Sequence, residues 1–259
     1  MSRRNSVLFG LLAAMLASAN DARATMVSLN GSTIASDNFE GDTVGAPPVA
    51  DVGVWSNVNF VNRTIGEVTN AALPGASSGS QYFSLFKDGS SVYQGIFAEM
   101  SLASSDLIHF ESMVYIPLNT AAENFPWQIG IASVASPGSR LINIWRNASG
   151  LWEAQGMGAF AGPASLLFDT WQKWELDFVV GASAATLTIN GVSASVPATN
   201  TTLNTNPAYR LGVWTNGPAD NQIYLDNITP VVEVPAVPEP STAALLLTFA
   251  AAFVFGRRR

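Results

Sequence analysis

The sequence predicts an all-β fold, an antiparallel two-sheet sandwich of jelly-roll type, framed by an N-terminal signal peptide and a single C-terminal transmembrane helix. Three observations predict it. Apolar and polar residues alternate over several short runs, the period of two that a half-buried strand requires. Turn-forming Gly, Ser, Thr and Asn separate those runs in a chain with only 12% charged residues. Between Thr25 and Pro235 no stretch sustains a helical period.

The chain opens with Arg3 and Arg4 before an apolar run of 11 residues, Val7–Ala17. Ala17-Ser18-Ala19 and Ala22-Arg23-Ala24 both fit an A-x-A cleavage site. The second is preferred because Asp21 and Arg23 make a polar approach to it, so residues 1–24 read as a signal peptide handled by the Sec machinery and signal peptidase. Residues 25–233 form one β domain, with no internal repeat. Its strand candidates run in order Gln81–Phe86, Leu107–Ile116, Trp127–Ala132, Leu141–Arg146, Gln172–Val180, Ala185–Ile189, Val192–Val196, Tyr209–Trp214 and Ile223–Ile228. The run Gln172–Val180 is the clearest. Trp174, Leu176, Phe178 and Val180 take one face, and Lys173, Glu175 and Asp177 the other. Asn190-Gly191 then predicts a type I′ turn between the next two strands.

Residues 234–259 have a different character. Val237-Pro238-Glu239-Pro240 blocks helix continuation, Ser241 or Thr242 can cap a new helix, and Ala243–Phe255 is apolar apart from Thr248. Arg257, Arg258 and Arg259 follow Gly256, a basic stop that favours the cytoplasmic side of a bilayer. At about 1.5 Å per residue the segment falls short of a hydrocarbon core of roughly 30 Å, which suits a transient anchor.

Composition excludes several chemistries. Between Thr25 and Val237 six Lys and Arg face 17 Asp and Glu, a net charge of −11 that argues against nucleic acid as a partner. Cysteine is absent, so thiol nucleophiles, zinc-thiolate sites and iron–sulfur clusters are excluded. His109 is the single histidine, and no G-x-S-x-G elbow accompanies it.

The Pro-Glu-Pro motif, apolar helix and basic tail together resemble the PEP-CTERM sorting signal of Gram-negative bacteria. That resemblance implies processing by an exosortase, passage through the inner membrane, and a final place at the cell surface or in an extracellular polysaccharide or biofilm matrix. The domain itself resembles the LamG, or concanavalin A-like lectin/glucanase, superfamily. Asp37-Asn38-Phe39-Glu40 is similar to an opening strand, Trp171–Trp174 with Thr186–Gly191 to the family's hairpin region, and Ile223–Ile228 to its closing strand. By this resemblance Glu40 and Asp226 are expected to share a structural Ca²⁺, with Asp37, Asp42 or Asn227 close by.

The same resemblance weakens an enzymatic reading. Glucanases on this fold use an E-x-D-x-x-E strand, and here Glu175 and Asp177 are followed by Val180 where the third acid belongs. Lyases resemble one another in a Gln-Ile-His strand, and here it reads Gln128-Ile129-Gly130. A non-enzymatic structural or glycan-binding role is therefore expected, with a degenerate hydrolase or lyase as the alternative. For stacking on sugar rings the candidates are Trp145, opposite Ile142 and Ile144 by parity, Trp152, which follows a turn at Gly150, and Trp214, which shares parity with Arg210. Trp174 is assigned to the core.

Overall fold

A computed structural model describes residues 24–56, 63–64, 66–72, 74–86, 93–118, 127–136, 138–147, 149–164, 166–215 and 222–226. The chain divides into a unit Met1–Thr229 and a unit Pro230–Arg259, and the second lies outside the described residues. So do residues 1–23. Among the described residues no helix is long and apolar enough to cross a membrane.

The described residues form two sheets packed face to face. The ten-stranded sheet holds β1 (Thr25–Leu29), β2 (Ser32–Asp37), β3 (Val52–Gly53), β5 (Glu67–Thr69), β6 (Tyr82–Phe86), β8 (Leu107–Tyr115), β13 (Gln172–Val179), β14 (Ala184–Ile189), β15 (Val192–Pro197) and β17 (Gln222–Asp226). The seven-stranded sheet runs in the order β12 (Gly158–Phe160), β11 (Trp152–Ala154), β10 (Arg140–Arg146), β9 (Trp127–Ser133), β16 (Ala208–Thr215), β7 (Tyr93–Ser101) and β4 (Arg63–Thr64). Pairing is antiparallel except for the two-residue contact between β4 and β7. The expected antiparallel sandwich is what the chain forms.

The predicted hairpin forms as read. β13 alternates buried and half-buried residues, β14 pairs with it, and Asn190 and Gly191 take φ of 47° and 78° into β15. Only residues that tolerate positive φ fit such a turn. A second Asn-Gly turn, Asn30-Gly31 at φ 51° and 79°, joins β1 to β2. The opening strand is thus β1, and Asp37–Glu40 does not continue as one. β2 stops at Asp37, whose Oδ1 accepts the Phe39 N–H at 2.8 Å while Phe39 turns to φ 63°.

The core lies between the sheets. Trp127 of β9 meets Trp174 of β13 edge-on at 5.1 Å and Trp152 of β11 at 5.8 Å, so three indoles bridge the layers. Ile108, Phe110 and Val114 of β8 and Tyr209, Leu211 and Val213 of β16 belong to the same core.

β8 organises the ten-stranded sheet. Its 108–111 segment takes β1, its 113–115 segment takes β17, and β13 covers the other edge. First and last strands therefore dock on one strand, and they are stitched there. Thr25 Oγ1 donates to the Asp226 carbonyl at 2.9 Å and lies 2.8 Å from Ser112 Oγ.

Candidate functional site

The outer face of the ten-stranded sheet carries the acids that suggested catalysis. Register sets Glu175 beside Glu111 and Asp177 beside His109. Lys173 Nζ lies 2.7 Å from Glu175 and 3.5 Å from the buried Glu111, and His109 Nδ1 lies 2.8 Å from Asp177, with Nε2 3.9 Å from Glu111. The result is a chain of alternating charge across two strands. Hydrogen bonding to Glu111 chiefly, and Asp177 as well, raises the His109 pKa despite burial. Both ring nitrogens face carboxylates of the same sheet face, so neither is directed at an open site where a substrate proton could be taken. Glu175 and Asp177 are each occupied by a cation, as an ion-paired strand face requires.

The three candidate stacking tryptophans are all buried, at 7% exposure for Trp145, 6% for Trp152 and 1% for Trp214. None presents an open ring face. Trp152 points into the core. Trp145 does lie on the outer face of the seven-stranded sheet, as parity predicts, but its Nε1 donates to Glu153 at 2.9 Å and holds it down. Trp214 is also on that face, stacked on Phe97 at 5.7 Å beneath the Arg140 guanidinium at 5.2 Å. Gly130 explains why the ring lies flat. A Cβ at that position would meet the Ile142 carbonyl at 2.4 Å and Trp214 at 3.1 Å. Position 130, which follows Gln128-Ile129, therefore has no room for a side chain without a shift of the neighbouring backbone.

Glu40 and Asp226, the pair expected to share Ca²⁺, converge on one loop but engage donors there. Asp226 Oδ2 accepts the N–H groups of Ser77 and Ser78 at 2.5 and 3.0 Å. Glu40 Oε1 accepts those of Ser80 and Gln81 at 2.8 and 2.9 Å, and Oε2 accepts the Ser80 hydroxyl at 2.9 Å. Ca²⁺ needs six to eight oxygen ligands facing inward. Four N–H dipoles pointing at the carboxylates put positive charge where the ion would sit. The pair fits a loop clamp and does not fit a shared cation.

Asp37 is buried at 1% exposure, and its Oδ2 accepts the Trp55 Nε1–H at 3.1 Å. Burial pushes its carboxyl up to about 7, against the Phe39 hydrogen bond and aided by Asp42. Asp42 is raised too, by burial first and by the charge of Asp51, against the hydrogen bond it accepts from Val49 N–H.

An open site lies elsewhere, at the end of the sandwich where the β9–β10 turn meets the segment before β16. A cleft of about 480 Å³ is lined by Ala135, Ser136, Ser139, Leu203, Asn204 and Thr205, with Asn206 at its rim. Its walls are fixed. Ser139 N donates to Ser136 O at 2.7 Å, Asn204 N to the Tyr209 hydroxyl at 2.7 Å, and Ala208 N to Asn206 Oδ1 at 3.0 Å. Ser139 Oγ donates to Asn204 Oδ1 at 3.3 Å. The Ser136 and Thr205 hydroxyls and the amide nitrogens of Asn204 and Asn206 make no hydrogen bond to other described residues. Leu203 supplies an apolar floor packed on the core. Neutral donors and acceptors around an apolar patch are what a sugar ring offers in mirror image. Sequence reading missed this cleft, because its two walls come from turns far apart in the chain and neither carries a charge or an aromatic ring.

Val237, Pro238, Glu239 and Pro240, and Arg257, Arg258 and Arg259, lie outside the described residues.

No protein-family model matches the chain, and no curated protein matches it. Among solved structures the chain is similar to a lectin from Bauhinia forficata in complex with GalNAc, at 11% identity and a TM-score of 0.42, over 59% of this chain and 87% of the lectin. It is similar to the Emp47p carbohydrate recognition domain at 9% identity and a TM-score of 0.40, over 68% of this chain and 92% of that domain. To a sialidase it shows 12% identity and a TM-score of 0.42, and spans only 15% of that chain. Similarity at this level assigns no ligand.

Proposed function

We propose that this protein is exported, processed near Pro238–Pro240 by an exosortase-type enzyme, and placed at the cell surface or in the surrounding matrix, where its sandwich binds neutral glycan without turning it over. The cleft carries the binding part of the reading: uncommitted hydroxyl and amide groups surround Leu203 in an otherwise acidic domain. The resemblance of the C-terminal tail to the PEP-CTERM signal supports the export part. The non-enzymatic part is supported by the pairing of Glu175 with Lys173, the pairing of Asp177 with His109, and the blocked position at Gly130.

Binding is tested by titrating neutral and acidic oligosaccharides and following affinity calorimetrically. Neutral ligands should bind, and Asn204→Ala with Thr205→Ala should weaken them at least tenfold while the melting temperature holds. Affinity unchanged by that double substitution would remove the cleft from consideration. Turnover of any polysaccharide that disappears with Glu175→Gln would replace the binding role by an enzymatic one. Intact-mass analysis of the exported protein tests processing, and Pro238→Ala should leave the C-terminal tail attached.

A further inference from the structure

Thr25 is fully buried at the start of β1, and register places it directly opposite Asp37 of β2. Opposed residues in an antiparallel ladder have Cα atoms about 4.5–5.5 Å apart. Among the described residues, the charged groups that act on Asp37 are acidic. Asp42 and Asp51 both place negative charge beside it, and Asp51 Oδ2 accepts the Asn38 N–H at 3.2 Å. On β17, Asp226 turns its carboxylate to the loop at Ser77 and Ser78, and on β8, Glu111 faces His109 and Lys173. No ion pair among the described residues brings a cation to Asp37, Asp42 or Asp51. Asp37 is buried, Asp42 half-buried and Asp51 exposed, and negative charges this close disfavour ionisation of the buried carboxyl.

Cleavage after Ala24 creates the missing cation. Hydrolysis adds the hydroxyl of water to the Ala24 carbonyl carbon and its proton to the Thr25 nitrogen, and that amine takes up one more proton near neutral pH. We infer that this new α-ammonium of Thr25 pairs with Asp37 and neutralises the Asp37–Asp42–Asp51 cluster, so that the mature chain is more stable than its precursor. Removal of the leader then completes one end of the sandwich. The register between β1 and β2 carries the inference; the acidity alone would not. It rests on the signal-peptide reading with its cut after Ala24.

Two recombinant chains test it, released from a fusion whose protease leaves no residue behind. One begins at Thr25 and the other at Ala24, which displaces the ammonium by one residue. The Thr25 chain should melt higher by roughly 3 °C or more, and Asp37→Asn should abolish the gap. Should that variant not fold, Asp42→Asn, at a half-buried position, should narrow it. The α-amine, followed by NMR after ¹³C-dimethylation, should titrate above its ordinary value of about 7.7–8.0. Equal melting temperatures, a gap that survives both substitutions, or an ordinary α-amine titration would overturn the ion pair. Intact mass of the exported protein reports the cut separately. A mature chain beginning elsewhere than Thr25 would overturn the maturation step whatever the melts show.

Discussion

Replacing Asp226 by alanine tests most directly whether its carboxylate clamps backbone or holds a metal. The side chain is fully buried, and Oδ2 receives two N–H groups from Ser77 and Ser78. Hydrogen bonds to a charged acceptor contribute about 1.5–3 kcal/mol each. The two donors are half-buried, so water reaches them once the carboxylate is gone and recovers part of that loss. A net cost of about 3 kcal/mol follows, near the lower end for two such bonds. In a domain of this size it corresponds to a fall in melting temperature of roughly 6–12 °C. Asp226→Asn keeps one acceptor oxygen and should fall between the two. Thermal melts by circular dichroism, run in EDTA and in excess Ca²⁺, provide the assay. The clamp predicts the same fall in both conditions. A drop of under about 2 °C would refute it, and a loss confined to the Ca²⁺ condition would return the site to the metal.

Three further outcomes follow from the charged and packed groups. His109 has a raised pKa, so its contribution to stability is complete below the unfolded value of 6.5 and is lost as pH rises through the folded one; His109→Gln should flatten the melting temperature between pH 6 and 9. In a chain that keeps its leader, Asp37 contributes fully below 3.8 and loses that contribution as pH rises through about 7; melts from pH 4 to 8 should decline, and Asp37→Asn should remove much of the decline. Trp127→Ala opens a cavity against Trp152 and Trp174 and should cost about 3–5 kcal/mol, read from the denaturant midpoint.

Strands with one wet face were legible in the sequence. β13 announces itself because Lys173, Glu175 and Asp177 interrupt an apolar row at every second position. β7 was hidden for the opposite reason. Phe97 on its outer side is as buried as Ile96 and Ala98 on its inner side, so no alternation marks it. β1 and β2 were obscured by a polar second strand and by the adjoining leader. Parity assigned Trp145 and Trp214 to the correct side of their sheet and left their depth open: Glu153 holds Trp145 down, and Trp214 lies over Gly95 and Gly130 against Phe97, neighbours that no local pattern reveals. Trp152 follows a turn at Gly150, and nothing local told which way it would face. Glu40 and Asp226 were rightly associated through one locale. The structure gives both carboxylates backbone N–H partners, which leave no trace in side-chain identity.

The shared edge of β8 has a consequence for how the chain is made. Its 108–111 segment waits for a strand made first and its 113–115 segment for one made last. Pairings of such long sequence separation are slow to form, because loop closure precedes any gain from contact. The sheet cannot close until residue 226 has left the ribosome. A polypeptide with that wiring stays pliable while it is being synthesised, and it locks only when the strand at residues 222–226 is available to pair.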